Sequence, residues 1–433
     1  RDEGMAATSV DDSLELVPVG SRLFSGYRAF ATAREYDAVL DRARDLKGLR
    51  VVEINSTAEG GGVATMLHSV IPALRGLGLD ANWYAMRAGH DFFVVTKVLF
   101  DLLQSEPGTL DQADQDLYLK TSEKVGQAIS QLDYDVLVIH DPQPLGARAF
   151  LTPAPGRGTI WRVHLDLERP NPDALCFLLP FVEKFDLVVL EDPAYRLAGI
   201  PMAVQRFVPD AIDPLSRKNR PMSRQQARRI MARVGIDAAR PVVSQVARFD
   251  PLKNPTGVVE AYRIARRTVP GLQLAMLGTF VARDDPTARQ TYECVKQFVG
   301  ADPDVHLYID PRVIGPTEVD AFQTGSDVVL LFSVREGFGI AATEAMWKRN
   351  AVVAGDVGGL PEQIVDGVTG FLVSTVDECA SRIVTLVNDR ELARELGDHA
   401  HQRVRDHFLL PRLIEDWLGL FAEAARQPQR KAA

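Results

Sequence analysis

Two glutamates, Glu336 and Glu344, stand eight residues apart in the stretch Val334–Lys348. Gly337, Phe338 and Gly339 follow the first, and Ala341, Ala342, Ala345 and Met346 form the helix-favouring run that carries the second. Glycines here let backbone N–H groups approach an anion, and a helix N-terminus adds a favourable dipole. The carboxylates could serve as acid and base, as metal ligands, or as acceptors from vicinal hydroxyls, as an acidic residue does on a dinucleotide ribose. On one helix an eight-residue offset is about 12 Å along the axis and about 80° around it, too far apart for one metal ion. With Glu336 in the loop, each carboxylate faces a different part of one long ligand.

Other residues point to the same kind of ligand. Arg248 and Lys253 follow the segment Pro241–Ala247. Two cations at a strand's carboxyl edge suit a diphosphate, the Arg as a fork and the Lys as a point charge. Gly60, Gly61 and Gly62 follow the short strand Arg50–Asn55, and Gly358 and Gly359 form a third glycine loop. Three successive glycines exceed what a tight turn needs and fit close approach of a phosphate or sugar, although the run is not the dinucleotide G-x-G-x-x-G pattern. His140 and Asp141 end one apolar run, and Arg162, His164 and Asp166 alternate with apolar residues at the end of the next. That alternation puts the three on one side and predicts a polar pocket. A single histidine at a strand end is also often structural. No H-x-x-x-H or H-E-x-x-H metal spacing, G-x-S-x-G elbow or Walker A loop occurs.

These groups need elements to hold them, and the chain supplies two similar series. In the first half, apolar runs at 50–55, 78–86, 134–140, 159–166, 186–190 and 203–208 read as strands. The helix after the first has Val63, Met66, Leu67, Val70, Ile71 and Leu74 at helical spacing. Residues 1–48 read as a polar leader followed by a helix over 33–46. A polar, basic linker near 214–240 contains a helix over 225–234. Strands at 241–247, 272–278, 305–309, 327–332, 351–354 and 370–373 follow, then helices at 377–388, 391–407 and 409–425. The last has Trp417, Leu418, Leu420 and Phe421 on its apolar side. Near-continuous apolar strands separated by helices predict buried parallel sheets. The fold class is therefore α/β, with two Rossmann-like doubly wound domains, over 1–214 and 215–408, facing each other across a cleft.

Composition narrows the partners. A 433-residue chain with 25% charged and 46% hydrophobic residues is globular and large enough for two domains. Its formal charge of -9 argues against a general nucleic-acid binder. No run of about 18 apolar residues predicts a membrane span. The N-terminal residues lack a secretion signal's apolar core, so a cytoplasmic location is expected. Cys176, Cys294 and Cys379 are widely spaced and read as three buried thiols in a reducing compartment. Asn55-Ser-Thr57 matches a glycosylation sequon by chance on that reading.

Together the motifs resemble a known group. Glu336 with Glu344, Arg248 with Lys253, Gly60–Gly62 and Gly358-Gly-Leu-Pro-Glu362 look like retaining GT-B glycosyltransferases, the large family that includes sucrose and glycogen-type synthases. Asn55-Ser-Thr57, His140-Asp-Pro-Gln-Pro144 and Trp161-Arg-Val-His-Leu-Asp166 narrow the resemblance to the trehalose glycosyltransferring synthases of glycosyltransferase family 4, over roughly residues 35–425. Fungal retaining trehalose phosphorylases share much of this pattern in longer chains. Asp210 departs from it, standing where a proline is often found.

The resemblance implies transfer of glucose from ADP-, UDP- or GDP-glucose to free glucose, giving α,α-trehalose reversibly, with no nucleic-acid or membrane partner. A homodimer is open. Residues 1–214 would then take the acceptor and 215–408 the donor, with a helix over 409–433 crossing back to the first domain. Arg248 and Lys253 would neutralise the diphosphate. Glu344 would hold the ribose, and Glu336 the donor glucose beside Gly337, Phe338 and Gly339. Gly61 and Gly62 would face the diphosphate, His164 the transferring glucose, and Asp141 and Asp166 the acceptor. His164, Arg248, Lys253 and Glu336 are thus the expected catalytic set. No protein-bound metal or cofactor is required, and Mg2+ would enter with the diphosphate. A transferase or phosphorylase with another acceptor, and a nucleotide-sugar sensor, are the alternatives.

Overall fold

A computed structural model describes residues 12–152 and 156–426; the first eleven residues of the expected polar leader lie outside them. The chain forms two compact units. The first contains the described residues up to Pro209, the segment Ala282–Pro286 and the 410–426 helix; the second contains Asp210–Val281 and Thr287–Leu409. Residues 210–214, expected in the first domain, belong to the second. Ala282–Pro286, expected in the second, groups with the first.

In the first unit seven strands share one sheet: β1 (Leu14–Leu16), β2 (Arg50–Asn55), β3 (Asp80–Met86), β4 (Val136–His140), β5 (Gly158–Arg162), β6 (Leu187–Leu190) and β7 (Gln205–Phe207). Their spatial order is β1-β3-β2-β4-β5-β6-β7. All neighbours are parallel except β1, which runs antiparallel to β3 with Leu14 opposite Met86. Strand β1 and the 3-10 turn Phe24–Phe30 correct the reading of this region as a polar leader. The turn is held by its packing, with Phe24 stacked 5.6 Å from Tyr36. Val51, Ile54, Val136, Leu137, Val138 and Ile139 are all fully buried, as parallel strands covered on both faces must be.

In the second unit β8 (Val242–Val246), β9 (Gln273–Leu277), β10 (Val305–Tyr308), β11 (Val328–Leu331), β12 (Val352–Gly355) and β13 (Phe371–Val373) form a parallel sheet in the order β10-β9-β8-β11-β12-β13. This is the doubly wound order, and its direction of winding reverses between β8 and β11. In the first sheet the reversal falls between β2 and β4. A crevice opens at the carboxyl ends of strands at such a reversal, where ligands bind in open α/β sheets.

Three helices start from these loops or brace the strands beneath them. Gly62–Gly76 leaves the glycine loop after β2 with Gly61 as its N-cap. Ile340–Trp347 starts after Gly339, whose φ of +95° strongly favours glycine. Leu410–Arg426 buries Leu413, Ile414, Trp417, Leu418 and Phe421 in the first unit. Among the described residues no helix is long and apolar enough to cross a membrane. The cysteine reading needs correction: Cys379 is buried, but Cys176 and Cys294 are exposed on the helices Pro172–Val182 and Ala288–Val299.

Candidate active site

At the reversal in the second sheet, β8 and β11 deliver their loops side by side. Lys253 ends the short turn Pro251–Lys253, and Asn254 caps the following helix from a left-handed conformation. Lys253 is held by its own carbonyl, which accepts from Gln245 Nε2 at 2.8 Å. The backbone N–H of Val334 donates to the Leu252 carbonyl at 2.9 Å, tying the two loops together. Lys253 Nζ then donates to Glu336 Oε2 at 2.7 Å, and Ser333 Oγ donates to the same oxygen at 3.1 Å. Two residues predicted for one ligand thus meet directly. Arg248 follows β8 and is half-buried, its carbonyl accepting from Asp250 N at 2.9 Å.

Glycine loops at 337–339 and 358–359 interlock. Gly359 N donates to the Glu336 carbonyl at 3.1 Å. A Cβ on Gly359 would lie 2.4 Å from the Gly337 carbonyl oxygen, so only glycine fits without movement. Gln363 supports the loop by donating to the Phe338 carbonyl and accepting from Thr343 Oγ1. Phe338 is buried, with its ring edge to Phe408 at 5.7 Å.

Glu344 lies on the helix and is buried, not a surface residue paired with Lys348. Lys348 instead reaches Gln323 Oε1 at 2.8 Å, Asn219 Oδ1 at 2.9 Å and the Glu344 carbonyl at 3.3 Å. The Glu344 carboxylate pairs with Lys218 and accepts from Gln323 Nε2 at 3.0 Å. Burial pushes its pKa up, but Lys218 and Lys348 outweigh that and hold it below the usual value. It is therefore an ionised acceptor. Lys218, in a stretch that reads from sequence only as a basic linker, was missed, as was Gln323.

In the first unit the polar residues gather at the reversal between β2 and β4. His140 ends β4 and is fully buried. Its Nε2 lies 2.6 Å from Glu53 Oε2 on β2, and its Nδ1 lies 3.0 Å from His164 Nε2. His164 Nδ1 lies 3.0 Å from Glu191 Oε1, which also accepts from Arg162 at 2.7 Å. Both nitrogens of the His164 ring thus face protein partners. Asp141 has a φ of +60° and accepts from His164 N at 2.8 Å through Oδ1. Desolvation pushes its carboxyl pKa up, opposed by the nearby His164 and His140.

Strand β5 stops at Arg162, so the expected alternation ends there. Arg162 and His164 meet at Glu191, whereas Asp166 accepts from Glu168 N at 3.0 Å. Glu53 and Glu191 were not singled out by sequence. A charged residue inside the apolar strand Arg50–Asn55 was the available signal for Glu53, and a position just past an apolar strand was the signal for Glu191.

The 60–62 loop has two characters. Gly60 has a φ of +86°, and a Cβ there would lie 2.5 Å from Ala282 N. Nothing lies within 4 Å of a Cβ built on Gly61 or Gly62, which leaves space before the helix N-terminus. Ser56 Oγ donates to Asp284 at 2.6 Å in the same unit. Asn55 is buried, donating to the Thr57 carbonyl and accepting from Trp83 Nε1, each at 2.7 Å, so the sequon asparagine is structural.

These two reversals, with an anion-ready loop at one and a polar network at the other, are the frame of a GT-B glycosyltransferase. A solved trehalose-6-phosphate synthase matches with a TM-score of 0.71 at 13% identity, over 87% of this chain and 99% of that one. Anabaena Alr3699/HepE, solved in complex with UDP and glucose, matches with a TM-score of 0.63 at 16% identity, over 87% of this chain and 100% of that one. Residues 53–197 match the family model "Trehalose synthase, N-terminal domain" and residues 226–403 match "Glycosyl transferases group 1". The chain belongs to the trehalose synthase family: it is 38% identical to the trehalose synthase of Rubrobacter xylanophilus over 414 residues, 95% of this chain and 99% of that one. It is a trehalose-forming glycosyltransferase.

Proposed function

We propose that the enzyme transfers glucose, with retention at the anomeric carbon, from a nucleoside diphosphate glucose to free glucose, and runs the reaction in both directions. The observation that carries this reading is the Lys253–Glu336 pair, 2.7 Å apart at the reversal of the second sheet. It sets a cation suited to phosphate directly beside a carboxylate suited to sugar hydroxyls, the two chemistries joined in a nucleotide-sugar.

On this reading Arg248 and Lys253 bind the diphosphate, with the amides of the 337–339 loop close by. Glu336 accepts from the donor glucose and Glu344 from the ribose, displacing part of its contact with Lys218. In the first unit Gly61 and Gly62 leave room for the diphosphate and acceptor. Asp141 and Asp166 accept from the acceptor sugar. His164 borders the transferring glucose as an oriented ring, its nitrogens already engaged. The bond from C1 to the diphosphate oxygen breaks, and one from C1 to the acceptor's anomeric oxygen forms on the same face. The acceptor's proton leaves with the diphosphate. Negative charge grows on that diphosphate, so fixed cations and N–H groups favour the transition state over the ground state.

The test is incubation with ADP-, UDP- or GDP-glucose, with and without glucose and with and without Mg2+, followed by NMR of the products. The expected product is the non-reducing disaccharide, formed only when glucose is present. No disaccharide from any donor would overturn the reading. Glucose 1-phosphate from trehalose plus phosphate would replace it with a phosphorylase.

A further inference from the structure

The first unit contains a run of buried polar groups in which only His164 has a part in the proposed reaction. Glu53 lies within β2 and is 0% exposed, and His140 at the end of β4 is equally buried. From Glu53 the contacts continue through His140 and His164 to Glu191, at 2.6, 3.0 and 3.0 Å. The two imidazoles are nearly parallel, 16° apart with centroids at 5.3 Å, and the Trp417 ring lies 6.2 Å from His140.

Each contact in this run needs one proton. Two bare imidazole nitrogens at hydrogen-bond distance would repel, and two N–H groups would clash; a carboxylate facing a nitrogen needs a proton between them. Three contacts therefore hold three protons. Arg162 keeps Glu191 ionised, so His164 carries its proton on Nδ1. The other two protons have only a few arrangements. Either the imidazole pair carries both and shares one positive charge, or His140 accepts at Nε2 and both rings are neutral. Burial pushes the pKa of His140 down and Glu53 pushes it back up, with the net direction downward, which favours a neutral His140. In every arrangement His164 keeps a proton on Nδ1 toward Glu191 and the same ring orientation.

We propose that Glu53 and His140 are positioning residues for His164, holding its ring with Nδ1–H on Glu191 and Nε2 on His140. The inference deepens the proposed function and rests on its placement of His164 beside the transferring sugar. A histidine joined to a single carboxylate can rotate or change tautomer; one clamped at both nitrogens cannot do so without breaking a buried hydrogen bond.

Two substitutions separate this role from packing. In Glu53→Gln the amide can donate to His140 Nε2, so all three contacts survive with neutral rings. In Glu53→Leu the volume is kept but His140 loses its partner and can reverse its tautomer. The readouts are two-bond 15N–1H imidazole spectra of the whole protein, assigned with His140→Gln and His164→Gln, together with steady-state kinetics. The wild type and Glu53→Gln should show Nδ1–H at His164. Glu53→Leu, where His140 Nδ1 can turn from donor to acceptor, should shift the His164 Nε2 resonance while Nδ1–H stays on Glu191, and should lose about tenfold or more in kcat, with the donor KM little changed because Arg248, Lys253, Glu336 and Glu344 are untouched. Glu53→Gln should recover most of the loss.

An unchanged His164 spectrum and kcat in Glu53→Leu would overturn the proposal. If Glu53→Leu does not fold, an Nε2–H tautomer at His164 in Glu53→Gln or in the wild type would overturn it. These spectra need no turnover. A wild type that makes no trehalose but shows the Nδ1–H tautomer would sink the proposed function while leaving the clamp standing.

Discussion

Lys253 and Glu336 are 83 residues apart in sequence and 2.7 Å apart in space. A buried carboxylate needs a partner, and here its partner is also the cation proposed for the diphosphate. Lys253→Ala should therefore lower kcat/KM by about 10²–10³, with Lys253→Arg recovering part of it. Steady-state kinetics over a donor series checks this, and a change below threefold would remove Lys253 from the reaction. A second residue-scale prediction concerns pH. Asp320 is pushed up to about 6 from its ordinary 3.8, chiefly by burial and also by Glu344, against the pull of Lys348 and the Thr324 hydroxyl. The folded state then holds a proton that the unfolded state releases between those values. Its contribution to stability is complete below 3.8 and is lost as pH rises through about 6. Asp320→Asn should accordingly gain stability relative to the wild type between about pH 4 and about pH 7, by roughly 2–3 kcal/mol. Melting temperatures of the two proteins across that range test the sign.

At the scale of elements, the interlocked loops make a sharper demand than either glutamate. Gly359→Ala would drive a methyl against the Gly337 carbonyl, and overpacking of this kind costs about 1–3 kcal/mol. Relief shifts the Gly337–Phe338 backbone, next to Glu336. Donor Kd should rise severalfold while the melting temperature falls, and isothermal titration with the donor and thermal unfolding read the two effects separately. The elements themselves were largely legible, because a strand buried on both faces declares itself as an apolar run with a helix behind it. What escaped was held by partners distant in sequence. Strand β1 is three residues long and exists by pairing with β3. The helices Pro172–Val182 and Pro316–Gly325 were not marked, the first being apolar enough (Leu175, Phe177, Leu178 and Phe181) to blur its period. In the candidate site, Glu336, Glu344, Arg248 and Lys253 were visible through their spacing beside glycines. Lys218, Glu53 and Glu191 were not, because their meaning comes from Glu344, His140 and His164, and no local pattern encodes those contacts.

For the whole molecule, the chain leaves the first unit after Pro209, builds the second with one excursion at Ala282–Pro286 that groups with the first, and returns as the helix Leu410–Arg426. That helix is structural to the first unit. It packs on the helix Ala33–Asp45 and on β5, where Gly158 lets it come so close that a Cβ would lie 2.5 Å from the Ala424 carbonyl oxygen. Arg206 Nε holds Glu423 at 3.1 Å near the helix's end. Trp417 is the largest side chain it buries, 1% exposed and tilted against Phe421 at 5.4 Å. Trp417→Ala should remove about 3–5 kcal/mol, the usual cost of emptying a large aromatic site. Because Trp417 also borders His140, the damage should reach the carboxyl end of β4 before it reaches the second sheet. Hydrogen exchange on the full chain can see this. Protection should fall in β4, β5 and the Ala33–Asp45 helix, while β8, β11 and β12 keep theirs. A uniform loss across both sheets would mean that the units unfold as one cooperative body and that the returning helix stabilises the whole chain.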